Sequence, residues 1–192
     1  MARTKEFDEA QVLDRALELF REHGFQGSSF STLTATLGVS RQSLYDTYGD
    51  KEALFLAAIK RYLDAGAECV RQSLANEGPF RDVLAALLDR MIAGNCEKGS
   101  HGCLATNTLI EASPDAEAAR ALVLQHVRRV EGLIASRLAA AQRAGKLKPE
   151  KDPVALARFL YHMIFGIAVA ARAFDDPEAL RQTARIALQA LD

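Results

Sequence analysis

Apolar residues recur along this chain at intervals of three and four, in segment after segment, with turn residues between the segments. That spacing marks helices that bury one face. Phe7 and Asp8, followed by Gln11, form a capping-box pattern with Asp8 as N-cap, and Phe7 and Val12 stand at the two positions of a hydrophobic staple. Ala10, Leu13, Leu17 and Phe20 share the next helical face, and Gly24 supplies a left-handed stop with Phe25 placed to pack back on the helix. A short second helix starts near Ser29, carries Phe30, Leu33 and Leu37, and stops at Gly38. Ser40 caps a third, from Arg41 to about Thr47, broken by Gly49. Asp50 caps a long fourth helix bearing Leu54, Phe55, Ile59, Tyr62, Leu63 and Val70, which runs to the turn at residues 76–79.

Phe80, Val83, Leu84, Leu87, Leu88, Met91 and Ile92 mark a fifth helix that ends in the polar loop from Cys96 to Gly102. A sixth runs from about Cys103 to Ala112. Ser113 and Pro114 separate it from the longest, roughly Asp115 to Ala144, whose buried face carries Leu122, Val123, Val127, Val130, Ile134 and Leu138 before Gly145 ends it. The pairs Asp152-Pro153 and Asp176-Pro177 each set an N-cap acid before a proline at the first helical position, and so open the last two helices. No alternation of strand type, repeat period or heptad run occurs. The pattern predicts an all-α fold of about nine helices.

Composition narrows this further. The chain has 192 residues, 49% hydrophobic and 26% charged, with a net charge of −1, an ordinary globular balance with enough length for a sizeable core. The run of 13 residues from Phe159 to Ala171 without Asp, Glu, Lys or Arg is shorter than the roughly 18–20 a bilayer span requires, and reads as a core helix. The N-terminus lacks a signal-peptide pattern, which predicts a cytoplasmic protein with no membrane partner. Three cysteines, Cys69, Cys96 and Cys103, do not form a disulfide framework. The near-zero charge requires that any DNA-binding surface be a local one.

Such a surface is visible in the second and third helices. Joined by Gly38-Val39, they have the form of a helix-turn-helix, with Phe30, Leu33, Val39 and Leu44 holding the pair together. Arg41, Gln42, Ser43 and Tyr45 are left on the outer side of the third helix, where such donors reach base edges and phosphates. The alternative is a plain helical hairpin whose serines and threonines only cap.

Residues 24–55, GFQGSSFSTLTATLGVSRQSLYDTYGDKEALF, resemble the DNA-binding signature of the TetR family of bacterial transcriptional repressors: a Gly-aromatic turn, Ser/Thr opening helix two, Gly-Val-Ser, Leu-Tyr, an aromatic and Lys-Glu-x-Leu. The resemblance implies that Ser28 and Ser29 meet phosphates, that Arg41, Gln42 and Ser43 enter the major groove beside the capping Ser40, that Tyr45 and Thr47 border the backbone, and that Lys51 meets a phosphate at the start of helix four. Two positions depart from the family pattern. Leu33-Thr34 stands where Ile-Ala is usual, and Asp46 where a basic or neutral residue is common; Asp46 reads as a solvated or capping carboxylate. Residues 1–60 hold seven Lys/Arg against nine Asp/Glu, so non-specific DNA affinity should be weak.

In the family the region of helices five to seven encloses a ligand cavity. Here Cys103, Asn107 and Glu111, spaced i, i+4, i+8, put a thiol, an amide and a carboxylate toward one side of helix six as candidates for ligand or redox sensing. Cys103 lies near a helix N-terminus with His101 and Lys98 close in sequence, an environment that favours the thiolate. Cys96 is a candidate resolving partner, and the Gly-Cys-Leu-x-x-Asn stretch is similar to one in a subset of the family, some of whose members respond to reactive compounds. The alternative is a small buried hydrophobe. The spacing of Cys96, His101 and Cys103 matches no common zinc pattern, so no metal is expected, and no cofactor motif is present.

Helices eight and nine carry more apolar surface than a monomer would expose. The family implies that they pair with their copies in a two-fold four-helix interface, for which Phe159, Met163, Ile167, Leu180, Ala184 and Leu188 are candidates. The resulting expectation is a helix-turn-helix domain over residues 1–50, helix four (about 51–75) as connector, and a ligand-sensing and dimerisation domain over 51–192. Its partners are an operator duplex, a second copy and a small-molecule inducer. Two alternatives come from other classes: a small helical enzyme with Cys103 as nucleophile and His101 or His126 as base, and a helical adaptor without DNA contact.

Overall fold

The computed structural model describes residues 7–97, 100–111, 116–174 and 176–192. Among these residues the chain forms nine α-helices and no strand: α1 Glu9–Gly27, α2 Phe30–Leu37, α3 Arg41–Tyr48, α4 Lys51–Leu74, α5 Phe80–Cys96, α6 Leu104–Glu111, α7 Glu117–Arg143, α8 Pro153–Ala173 and α9 Pro177–Leu188, followed by a 3-10 turn at Gln189–Leu191. Side-chain caps set most of the starts. Asp8, Ser29, Ser40, Asp50, Asp152 and Asp176 each accept a hydrogen bond from a backbone N–H in the first turn that follows. Gly24 departs from helical geometry at φ 69 and ψ 176, a left-handed region that suits glycine. Behind that kink Phe25 folds back against Phe20 and Phe55, with ring centroids 6.5 and 5.1 Å away. Helix six starts one residue later than expected, with Cys103 as the residue before it: the Cys103 carbonyl accepts from the Asn107 N–H at 3.0 Å. Residues 112–115, including the expected ends Ala112 and Asp115, and Lys98 lie outside the described residues.

The apolar core has two parts that meet along α4. One contains α1, α2, α3 and the first half of α4 to Leu63, together with Leu104 and Ala105 of α6 and Ala119 and Val123 of α7. The other starts at Ala67 of α4 and takes in α5, the rest of α7, α8 and α9. Residue 50 is therefore not a break in the packing. Helices α1 to α3, the candidate DNA-reading head, share this core with α6 and the start of α7, so a shift in either is felt by α1 and α4 directly.

Helix α8 spans 21 residues, with only Arg158 and Arg172 charged, and is long and apolar enough to cross a membrane by length and composition. Ala157, Leu160, Tyr161, Ile164, Ile167 and Ala168 are instead buried where α8 packs against α5, α7 and α9. The six candidate partner-surface residues divide between core and surface in the single chain. Ile167, Leu180, Ala184 and Leu188 lie in the chain's own core at 4 to 7% exposure, and Met163 is half-buried. Phe159 alone of the six is well exposed, at 47%. The outward stripe of α8 is Ala155, Phe159, His162, Gly166 and Val169, and Ile186 continues it on α9 at 65% exposure. The reason is geometric: residues eight apart are turned by about 80° from each other, so the i, i+4, i+8 series that begins at Phe159 winds into the core.

Candidate DNA interface and ligand cavity

Helix α3 is held to the body by Leu44, which is 1% exposed. Arg41, Gln42 and Tyr45 are exposed on its other side, while Ser43 and Thr47 are half-buried. The outer side chains are arranged. Phe30 of α2 stacks on Tyr45 with centroids 4.8 Å apart and planes 7° from parallel. The Arg41 guanidinium lies 5.2 and 5.5 Å from those two centroids, and its Nη2 donates to Tyr45 Oη at 3.4 Å. Gln42 Nε2 donates to Asp46 Oδ1 at 2.7 Å, so Asp46 orients a candidate base-reading amide. Ser40 Oγ accepts from the Ser43 N–H at 3.1 Å and lies 2.9 Å from Ser43 Oγ, which orders the first turn of α3.

Two expected phosphate contacts have other employment. Ser28 is fully buried, and its hydroxyl donates to the Gly24 carbonyl at 2.7 Å, so it braces the kink and does not face solvent. Lys51 Nζ donates to the Phe25 and Ser28 carbonyls at 2.9 and 3.1 Å and sits 4.2 Å from the centre of the Phe25 ring. Lys51 thus caps the end of α1 from α4 and fixes the entry to α2. Ser29 remains exposed, its Oγ accepting from the Thr32 N–H at 3.0 Å.

Behind the reading head, where α1, α4, α6 and α7 meet, lies a cavity of about 230 Å³. Phe25, Phe55, Leu104 and Ala119 supply apolar wall, and Asn107, Thr108, Glu52 and Glu111 supply polar groups. The three candidate sensing residues separate here: Asn107 and Glu111 line the cavity, and Cys103 does not. The i, i+4, i+8 series has again turned about 80° over its length. Leu104, Asn107, Thr108 and Glu111, spaced i, i+3, i+4, i+7, are the helix face that the cavity sees.

Half-buried Cys103 accepts a hydrogen bond from Tyr62 Oη at 3.6 Å. Burial and the neighbouring thiol push the Tyr62 phenol far above its usual value, so it stays a donor. Among the described residues no hydrogen bond joins Cys103 to His101 or His126, and no group of three His, Cys, Asp or Glu could hold a metal ion. Asn107 is the junction of a polar relay: its amide Nδ2 donates to the His101 carbonyl at 3.1 Å, and its Oδ1 accepts from Arg172 Nη1 of α8 at 2.8 Å. One residue on, the Gly102 carbonyl accepts from Arg21 Nη2 of α1 at 3.3 Å. Helix α8 is thereby tied through α6 and its leading loop to the helix that carries the reading head.

Sequence reasoning missed Glu52, Thr108, Phe25 and Phe55 as cavity residues, and Arg21 and Arg172 as relay partners. The i, i+4, i+7 spacing from Leu104 could have identified Thr108; nothing local to Glu52 or Arg172 shows what they face.

Residues 12–58 match the family model described as "Bacterial regulatory proteins, tetR family", and residues 81–187 match "Tetracyclin repressor-like, C-terminal domain". The uncharacterized HTH-type transcriptional regulator YezE of Bacillus subtilis (strain 168) is 35% identical over 195 aligned positions, covering 100% of both chains. The HTH-type transcriptional repressor ComR of Escherichia coli (strain K12) is 32% identical, covering 97% of this chain and 90% of its own. A cysteine mutant of the TetR family regulator CifR, solved with 26-base-pair double-strand operator DNA, has a TM-score of 0.89 at 28% identity, covering 99% of this chain and 100% of that one. With both halves matched and relatives alike from end to end, this chain belongs to the TetR family and is a DNA-binding transcriptional regulator, not an enzyme.

Proposed function

We propose that the chain is a cytoplasmic homodimeric repressor that holds a pseudo-palindromic operator through Arg41, Gln42 and Tyr45 and is released from it by a small molecule in the cavity behind the reading head. The observation that carries this reading is the outward, pre-ordered set of donors on α3, a helix whose one buried side chain is Leu44. The exposed stripe of α8 with Ile186 of α9 is the surface that a second copy covers, and Gly166 within it has open space above it, which allows close approach. Pairing there would set two α3 helices on successive major grooves, roughly 34–36 Å apart. Residues 1–50 read DNA, α4 connects, and residues 51–192 sense and dimerise. Ser29, Ser40, Ser43 and Thr47 lie beside the reading residues as secondary contacts.

Titration of the reduced protein onto labelled duplex from upstream of its own gene, with scrambled duplex as control and at two salt concentrations, tests this. Specific binding that survives the higher salt is expected. Equal binding to both duplexes, with none selected from a random-sequence library, would overturn it.

A second reading adds a thiol switch. The Tyr62 hydroxyl aimed at Cys103 Sγ ties a half-buried thiol to α4, the helix that connects to the head, so oxidation or alkylation there, with Cys96 as resolving thiol, would push α6 away from α4. Cys103→Ser is expected to abolish DNA release by N-ethylmaleimide or peroxide; unchanged release would end this reading.

A further inference from the structure

We propose that the cavity between α1, α4, α6 and α7 is a site for an organic cation with a one- or two-ring aromatic body. Its carboxylates, Glu52 and Glu111, stand exposed at the mouth, while Phe55, Leu104, Thr108 and Ala119 are buried within. Neither carboxylate has an ion pair or a side-chain hydrogen bond, so the mouth holds two uncompensated negative charges. Lys51, beside Glu52 in sequence, is spent on the Phe25 and Ser28 carbonyls. Deeper in, Thr108 is 6% exposed and its hydroxyl has no hydrogen-bond partner. Charge at the mouth and aromatic and aliphatic wall inside match a ligand with an ammonium at one end and a flat apolar body at the other.

The position of Glu111 gives such a ligand a consequence. Its carboxylate lies directly against Gly24, so close that a Cβ there would clash with Oε2. Gly24 is the kink from which α1 passes into the reading head, and an ammonium drawn between Glu52 and Glu111 pulls the carboxylate off that kink. The effect on DNA rests on the regulator reading above; the binding does not.

Calorimetry on the DNA-free protein with tryptamine, tryptophol and indole-3-acetate tests the binding, because the three share one indole body and differ in terminal charge. Tryptamine is expected to bind at least about tenfold more tightly than tryptophol, with indole-3-acetate weakest, because two carboxylates at the mouth attract the ammonium and repel the acetate. The double substitution Glu52→Gln and Glu111→Gln is expected to erase the preference for tryptamine while tryptophol still binds, which shows the cavity intact. Absence of tryptamine binding, equal affinities, or a preference that survives the double substitution would each overturn the proposal. Labelled operator is then added. Tryptamine binding without operator release leaves the cation site standing and removes its link to the head, whereas failure of the protein to bind any duplex counts against the regulator reading alone.

Discussion

At the scale of single residues, the reading surface depends on side chains that order one another before DNA arrives. Arg41 rests on the stacked rings of Phe30 and Tyr45, and Gln42 is steered by Asp46. Arg41→Ala is expected to cost about 1–3 kcal/mol of specific affinity, the usual worth of a good base contact. Asp46→Ala is expected to act in the opposite direction on non-specific binding, since it removes a negative charge from the exposed side of α3, and to narrow the gap between operator and scrambled duplex because Gln42 loses its guide. Fluorescence anisotropy with both duplexes reads the two effects; an unchanged ratio for Asp46→Ala would show that Gln42 does not read bases. A pH effect also belongs at this scale. Burial, with Arg129 adding to it, holds the His126 imidazole below its usual value near 6.5, against the opposing pull of the Leu63 backbone and Asp64. The unfolded chain then binds more protons than the folded one as pH falls through 6.5, so stability is full above that value and declines below it. The midpoint of thermal unfolding is expected to drop from about pH 7.5 to about pH 5.5, and less steeply in His126→Gln; equal slopes for the two proteins would remove His126 as the cause.

At the scale of elements, α3 is eight residues long, too short to be stable alone, and depends on its ends and on Leu44. Ser40→Ala removes the cap and is expected to cost about 0.5–2 kcal/mol of stability in urea unfolding. The same change is expected to weaken operator binding, because the first turn that Ser40 orders carries Arg41 and Gln42. Unaltered affinity would mean that DNA itself orders the turn. Helix α4 works differently. Its first half is packed with α1 to α3 and its second half with α5 and α7, so a displacement of α4 would be felt by both parts of the core. The relay from Arg172 through Asn107 and the 101–102 loop to Arg21 is a second path alongside it.

At the scale of the whole molecule, the proposed partner surface is what α8 and α9 leave uncovered. Phe159→Glu is expected to yield a folded monomer in sedimentation velocity and to lose operator binding, because one α3 alone reads half a site. Leu188→Ala, in contrast, removes a core side chain and is expected to cost about 2–5 kcal/mol of stability with the dimer otherwise retained. A dimer that persists in Phe159→Glu would place the interface elsewhere.

The chain order of helices, their caps and the identity of the reading head were legible in the residues, because capping, glycine turns and the spacing of Leu33, Val39 and Leu44 act within a few positions of one another. Which face each helix turns inward was not. Cys103, Asn107 and Glu111, and likewise Phe159, Met163 and Ile167, share a helix but not one environment, since eight residues of rotation carry the last of each set out of the first one's surroundings. Ser28 and Lys51 match a phosphate-binding pattern, yet only the approach of α4 to the end of α1 shows their hydrogen bonds directed at backbone carbonyls. The cavity was least visible of all. Its wall comes from segments as far apart as Gly24 and Ala119, and no local rule brings Glu52 and Glu111 to one cavity; packing of α4 against α1 and of α6 against both does.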